Sequence, residues 1–367
     1  MKKVGILTFH CADNCGAMLQ AYGLKHYLNE KGTKADIIDY EPFFMTGRHW
    51  WIPYIPAGNI VKTGLYGWKS NLKTGRFFFR QRANMKRFRK EYLIEKKQRK
   101  IFFTYQMRSL PYQYYIVGSD QIWNPDVTCG LKKAYFGDFK NRNKQKVIAY
   151  AASLGCPALP EQYNKEFSDL IKNVDAVSVR ESAAIMYIKQ FYPGKIFVVP
   201  DPVFLLKKKE WEKIERLPDK DGYIVVYVTE DNSMLSDYVK TLAKNHGLSI
   251  IRIENGIRIS DEGFIVDCLA GPSEFLGYIH KADYVITNSF HAIAFSIIYH
   301  KKFVAFQHSG AGERITNVLR YYGLEDRLYQ GNINVKIDNM IDWDSIEKKI
   351  KKTASAAEEF LMKNMEQ

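Results

Sequence analysis

The segment Ala282–Phe306, ADYVITNSFHAIAFSIIYHKKFVAF, sets polar and titratable residues between an apolar strand and an apolar helix. Tyr284–Thr287 has the β-branched and aromatic content of a strand. Asn288 and Ser289 are residue types that open helices, Ala292–Tyr299 is an unbroken apolar helical run, and Lys302–Phe306 closes with a second strand. Free backbone N–H groups and the helix dipole at such a turn favour an anion. Asn288, Ser289 and His291 would add side-chain donors, and a protonated His291 would serve as acid to a departing group. The same pattern also fits an ordinary strand–cap–helix unit with a solvent-facing histidine.

Other chemically able residues stand at similar places. Arg180 ends the run Ala176–Val179 and offers a fork suited to carboxylate or phosphate, or else a structural pair with Glu181 or Asp201. Asp13, in the turn His10–Gly16, and Glu313, near a later helix start, are candidates for proton transfer or simple first-turn acids. Asn14, Gly16 and Gln20 line the first turn. In GSDQIW, Ser119, Asp120 and Gln121 form another polar strand end, with Trp123 available for ring stacking and Asp120 open to a capping role. No His/Asp/Glu cluster has ligand spacing, so no metal or cofactor is expected. Cysteines 11, 15, 129, 156 and 268 fit neither a disulfide framework nor a zinc spacing and read as reduced thiols of a cytoplasmic protein.

Strands and helices must position these groups. Val4–Phe9, Ala17–Glu30 and Ala35–Asp39 form a βαβ opening, and alternation resumes with Tyr114–Val117, Val147–Ala151, Ala176–Val179, a helix Ser182–Gln190 and Ile196–Val199. After Pro200-Asp201-Pro202 and a charged stretch, Lys207–Asp221, come strand Tyr223–Val228, helix Ser233–His246, strand Ser249–Ile253, strand Phe264–Val266 and helix Ser273–His280. Gly312–Tyr322 and a charged helix, Trp343–Met365, complete the chain. The expected fold class is α/β, with two Rossmann-like open-sheet domains facing a cleft. The expected divisions are 1–206, carrying an insertion at about 42–110, then 207–342, then a C-terminal helix over 343–367.

Length and composition agree with this. The 367 residues exceed one typical core, and 46% hydrophobic with 26% charged content is that of a globular chain. No stretch approaches the ~18–20 apolar residues that cross a bilayer, and polar residues from Cys11 onward interrupt the start too early for a signal peptide. The net charge of +14 is concentrated: Ile60–Leu110 holds 15 Lys and Arg against two acids, interleaved with aromatics such as Tyr66, Trp68, Phe88 and Tyr92. Without any nucleic-acid-binding signature, the expected partner of this segment is an anionic membrane surface or lipid-linked substrate, unless its cations merely solubilise a helix.

Seven segments, in order, resemble the polysaccharide pyruvyl transferase family: GILTFHCADNCGAMLQAYGL, YYIVGSDQIWNP, IAYAASLG, VSVRESAA, VVPDPVFLL, SEFLGYIHKADYVITNSFHAIAFSIIYHKKFVAF and GERITNVLRYYGLEDR. The resemblance implies a fold like that of GT-B glycosyltransferases. It implies transfer of a pyruvyl (carboxyvinyl) group from phosphoenolpyruvate to sugar hydroxyls, giving a pyruvate ketal in surface or exopolysaccharide synthesis. On that reading Arg180, Asn288, Ser289 and His291 hold the donor, with Arg180, His291, Asp13 and Glu313 catalytic. Asn14, Gly16, Gln20, Asp120, Gln121 and Trp123 face a saccharide acceptor, lipid-linked or free. Ala292 for Gly, Lys302 for Pro and Cys15 for an aromatic depart from the family pattern. The alternatives are a GT-B glycosyltransferase using a nucleotide sugar and a non-enzymatic basic surface-binding module.

Overall fold

The computed structural model describes residues 2–366 except 43–44, 46–81, 97, 141–143, 231, 255–262, 309–311 and 332–336. Two parallel sheets organise the described residues. The first has strands β1 (Lys3–Leu7), β2 (Lys34–Ile37), β3 (Tyr114–Gly118), β4 (Lys146–Ala152), β5 (Ala176–Val179) and β6 (Ile196–Val198) in the order β2-β1-β3-β4-β5-β6. The second has β7 (Tyr223–Tyr227), β8 (Ser249–Ile253), β9 (Ile265–Asp267), β10 (Tyr284–Thr287) and β11 (Lys302–Ala305) in the order β11-β10-β7-β8-β9. β7, YIVVY, and β10, YVIT, are buried at every position, as strands covered by helices on both faces must be.

The order reverses between β1 and β3 in one sheet and between β7 and β10 in the other, and such reversals open a crevice at the strands' carboxyl ends. Helix α1 (Cys15–Glu30) leaves β1 there, with Asn14 as its N-cap accepting from the Ala17 N–H at 3.0 Å. The first sheet is continued by helix α2 (Asn164–Ile171). In the second sheet α3 (Ser233–His246) and α4 (Pro272–Lys281) precede α5 (Phe290–Ile298), which follows β10, and α6 (Gly312–Tyr322), which follows β11. Because α5 is apolar on all sides, seven of its nine residues are buried, so it is a core helix rather than a surface one.

Both sheets share a continuous apolar core. Tyr22 of α1 packs on Trp211 at 5.6 Å, and Trp211 meets Phe295 of α5 edge-on at 4.9 Å. The charged stretch after Pro202 is therefore not a free linker: a short helix, Lys208–Glu212, plugs the fully buried Trp211 between the halves. The expected helix over 182–190 is instead a 3-10 turn, Ser182–Ala184, followed by a single turn, Ile185–Ile188. The last helix, α7 (Trp343–Glu366), begins against the second sheet, where His300 stacks on Trp343 at 4.8 Å. It ends against the first, with Phe360 on Phe197 at 5.2 Å and Glu358 on Lys31.

The described part of the basic segment is likewise tied down. Arg87 pairs with Glu274 at 2.7 Å, Lys100 with Glu41 at 2.8 Å, and Arg89 donates to the Cys11 carbonyl at 2.6 Å. Met85, Phe88 and Leu93 are buried. Arg87 thereby bridges the two halves, while Lys86, Lys90, Lys96, Arg99 and Arg108 are exposed. Lys62, Lys69, Lys73, Arg76, Arg80 and Lys97 lie outside the described residues. Among the described residues no helix is long and apolar enough to cross a membrane.

Candidate active site

Arg180 is the centre of a buried charge cluster at the carboxyl end of β5. Its Nε donates to Glu181 at 2.9 Å, and one terminal nitrogen donates to Asp201 at 2.9 Å and to the Ser119 carbonyl at 3.3 Å. Its guanidinium lies over the Phe290 ring at 5.0 Å. Both alternatives for Arg180 thus hold together: it pairs with Glu181 and Asp201, yet its Nη2 is buried without a partner. Burial works against its charge, but Glu181 and Asp201 hold that charge firmly in place. Burial pushes the Asp201 carboxyl up, opposed by Arg180 and by the Val203 N–H.

His291 reaches this cluster from the first turn of α5, its Nε2 3.8 Å from Asp201. That nitrogen also has no hydrogen-bond partner. Burial, with the charges of Arg180 and Arg314, pushes the imidazole down to about 3, although Asp120 opposes the shift. Without a ligand, His291 is therefore neutral at physiological pH. Its ring packs directly on Gly16 of α1, where any Cβ would collide with the imidazole. Gly16 is thus the space that lets a histidine of one half rest on the other half, not a contact to an acceptor.

Arg314, on the first turn of α6, completes the set. When the Gln121 amide oxygen faces it, both terminal nitrogens of Arg314 reach that oxygen at 3.1 Å, across the crevice. Its Nε is buried without a partner, and burial followed by repulsion from Arg180 lowers its proton affinity. Three donors from β5, α5 and α6 are consequently buried and unmatched near one another. An unpaired buried donor costs about 1–3 kcal/mol, more when charged, so this arrangement calls for an anion.

A cavity of about 570 Å³ opens here, lined by Arg180, Glu181, Phe290, Arg314, Arg320 and Tyr321 among others. His291 is not on that wall; it stands edge-on to Phe290 at 5.2 Å. A larger cavity of about 930 Å³ lies beside the basic segment, lined by Arg82, Lys86 and Arg89 and also by Asp13, Asp39 and Glu41. Six cations there face four acids and the unmatched buried atoms are oxygens, that of Asp13 among them, so the smaller cavity, where the unmet atoms are donors, is the better candidate for an anion.

The remaining expected residues are placed as follows. Asp13 lies in the larger cavity, 3.3 Å from Arg82 and 3.5 Å from Arg89, and has no contact among the described residues with Arg180, His291 or Arg314. Glu313 is exposed and, among the described residues, has only an electrostatic contact with Cys156. Gln20 is fully buried and donates to Thr8 at 2.7 Å and to the Ala17 carbonyl at 2.9 Å, while its oxygen receives the Ser119 hydroxyl at 3.0 Å. It braces the floor beneath Arg180 instead of meeting a ligand. Trp123 is fully buried, donates to the Tyr135 carbonyl at 3.0 Å and stacks on Phe136, which removes it as a sugar platform. Asn288 ties the ends of β10 and β7 together, accepting from Thr229 N–H at 2.8 Å and donating to the Glu230 carbonyl at 2.7 Å. The Ser289 hydroxyl makes no hydrogen bond among the described residues, and its N–H goes to Thr287 at 2.9 Å. Asp120 is half-buried, accepts from the Gln121 N–H at 2.8 Å, and lies close enough to act on His291, Arg180 and Arg314.

The departures from the family pattern are structurally quiet. Ala292 is sealed within α5, Cys15 is buried at the start of α1, and Lys302 pairs with Asp338 at 2.8 Å. The described residues do hold one group able to share a cation, His26, Glu30 and Glu210, but Lys213 already pairs with Glu210.

Two open parallel sheets joined through a common core, with unmatched donors gathered at their crevice, make up the GT-B architecture. The profile of the polysaccharide pyruvyl transferase family matches residues 14–310, and the chain belongs to that family and is a transferase. Among solved structures it is similar to the UDP-GlcNAc 2-epimerase of Neisseria meningitidis bound to UDP-GlcNAc, with a TM-score of 0.53 and 12% identity over 99% of this chain and 100% of that one. It is also similar to a putative UDP-N-acetylglucosamine 2-epimerase of Listeria monocytogenes, with a TM-score of 0.51 and 10% identity over 98% and 95% of the two chains. At these identities the likeness concerns the fold alone. A comparison with curated proteins finds no match.

Proposed function

We propose that the protein transfers a pyruvyl group from phosphoenolpyruvate to two hydroxyls of a saccharide in surface-polysaccharide assembly. The observation that carries this reading is the convergence of three buried, unmatched donors, Arg180 Nη2, His291 Nε2 and Arg314 Nε. Phosphoenolpyruvate presents both a phosphate and a carboxylate to such a set, and the guanidinium forks suit either group. A ligand of that charge also raises the proton affinity of His291, which burial and the two arginines hold low in the empty site.

The chemistry balances as follows. One acceptor hydroxyl adds to C2 of the donor while C3 takes a proton and becomes a methyl group. The C2–O bond to phosphate then breaks, the second hydroxyl closes the ketal at C2, and its proton leaves with the released hydrogen phosphate. His291 and Arg314 stabilise charge on the departing phosphate, and Arg180 orients the carboxylate. Asp120, rather than Asp13 or Glu313, is the carboxylate we place at proton transfer, because of these three it alone acts on all three donors, and unlike Asp201 it is not held in an ion pair with Arg180.

The test is release of inorganic phosphate from phosphoenolpyruvate with a panel of saccharides. Release that depends on the saccharide supports the reading. Binding of a nucleoside diphosphate sugar with no response to phosphoenolpyruvate would overturn it in favour of glycosyl transfer.

A further inference from the structure

The cavity is far larger than its donor. A volume of about 570 Å³ falls within the range of pockets that hold whole drug-sized molecules, whereas phosphoenolpyruvate needs only the end that carries Arg180 and Arg314. The rest is walled by α6 beyond Arg314. Arg314, Asn317 and Tyr321 recur at helical spacing on the cavity side, a stripe of about 10 Å along the axis.

Tyr321 is held as a platform. The residue is 46% exposed. It stands perpendicular to Tyr322 at 5.0 Å, with its hydroxyl near Thr353 of α7. A half-exposed aromatic braced in this way supplies contact area at little entropic cost. Arg320, one residue away on the same wall, is exposed and has no ion pair among the described residues. The other guanidiniums of the cavity, by contrast, are engaged with Glu181, Asp201 or Gln121.

We propose that the outer half of this cavity, between Asn317 and Tyr321, is the acceptor subsite, and that it takes a saccharide bearing an anionic group. The sugar ring lies on Tyr321, Asn317 meets its hydroxyls, and Arg320 receives the anionic group. This deepens the reading given above and rests on it for the position of the donor. The anionic group is either a phosphate linked to the sugar or a sugar carboxylate, and the two share the chemistry that Arg320 recognises.

The experiment is calorimetric titration of the full chain with glucose, glucose 1-phosphate and glucuronic acid, each with saturating phosphoenolpyruvate. The two anionic sugars should bind at least about tenfold more tightly than glucose. Stronger binding of glucose 1-phosphate identifies a phosphate-linked acceptor, and stronger binding of glucuronic acid a sugar acid. Tyr321→Ala should weaken all three by about tenfold while the affinity for phosphoenolpyruvate stays within about twofold. Tyr321→Phe, which keeps the ring, should bind like the wild type, and Arg320→Gln should bring the anionic sugars down to glucose. Equal binding of the three sugars, or a Tyr321→Ala protein that folds and binds them unchanged, would overturn the subsite. A protein that fails to bind phosphoenolpyruvate yet shows the Tyr321-dependent preference would refute the donor instead and leave the subsite standing.

Discussion

The two turns that follow β1 and β10 look alike in sequence and differ in what their side chains lack. Around β1, Asn14 caps α1, Gln20 makes hydrogen bonds through both ends of its amide, and Asp13 sits between two arginines. Around β10, His291 keeps an unmatched nitrogen, with Arg180 and Arg314 doing the same nearby. In the first turn the buried donors are met and the one unmatched atom is an acceptor, an Asp13 oxygen, whereas around the second turn the unmatched atoms are gathered donors. Residue type alone does not separate the two cases, because both turns offer polar groups at a strand's carboxyl end. What separates them is whether each buried donor has an acceptor, and that is a property of the packed molecule.

This contrast is breakable. The largest effect is expected at His291. Replacing it with alanine should slow phosphate release on the order of a hundred- to a thousand-fold while the melting temperature changes little. A variant that turns over at the wild-type rate would put the unmatched nitrogen outside the chemistry. Arg314→Gln should follow, at about a hundred-fold, and its loss should combine with that of Arg180→Lys less than additively if both hold one anion. Kinetics of the double variant decide this, and strictly multiplicative losses would show two separate roles.

Gly16→Ala tests the contact between the turns themselves. Alanine ordinarily suits a helix better than glycine, but here, in the first turn of α1, its methyl must displace His291. The expected outcome is a loss approaching that of His291→Ala, since displacement by about 1 Å can cost a hundred-fold. A Gly16→Ala enzyme that is merely more stable would show that the imidazole has room elsewhere. Asp13→Asn should have the smallest effect on rate, within a few-fold, whereas Trp123→Ala should leave the affinity for acceptor alone and cost about 3–5 kcal/mol of stability.

Acid sharpens the same comparison. His291 is held far below its ordinary value of 6.5, at about 3, so the unfolded chain binds a proton that the folded site refuses. Stability from this group is complete above pH 6.5 and falls as the pH drops from there toward 3. Melting temperatures of wild type and His291→Asn should diverge below pH 6.5, with the wild type losing more. Phosphate should narrow the gap by restoring the proton to the imidazole. Parallel curves would mean that the histidine has a ready route to solvent.

Much of the fold was legible because it depends on local pattern. The apolar runs of β7, β10 and α5 and the alternation of strand and helix follow from residue spacing, whereas Asn14, read as an acceptor contact, is the cap of α1. The environment of Trp123 was not legible, because GSDQIW does not reveal that Phe136 and Tyr135 close over the indole. The choice of Glu313 overlooked its neighbour. An acid in the first turn of a helix is comfortable there, whereas Arg314 opposes the helix dipole. That mismatch was the available signal: a cation placed where the backbone disfavours it is held for another purpose. Arg180 taught the reverse, since a structural pair and a functional fork proved compatible in a single guanidinium with nitrogens to spare.

The path of α7 has a mechanical meaning. The chain crosses between the halves once near Trp211 and again along α7, which is anchored to His300 at one end and to Phe197 at the other. These crossings add to the core the halves already share and to the pair of Arg87 with Glu274, so the halves are clamped along a seam and not hung on a hinge. Thr353 lies partway along α7 and also on the cavity wall, so the clamp and the cavity have one wall in common. His291 on Gly16 stands about one to two turns from Phe295 and Tyr22 on the same two helices, which makes that contact part of the seam.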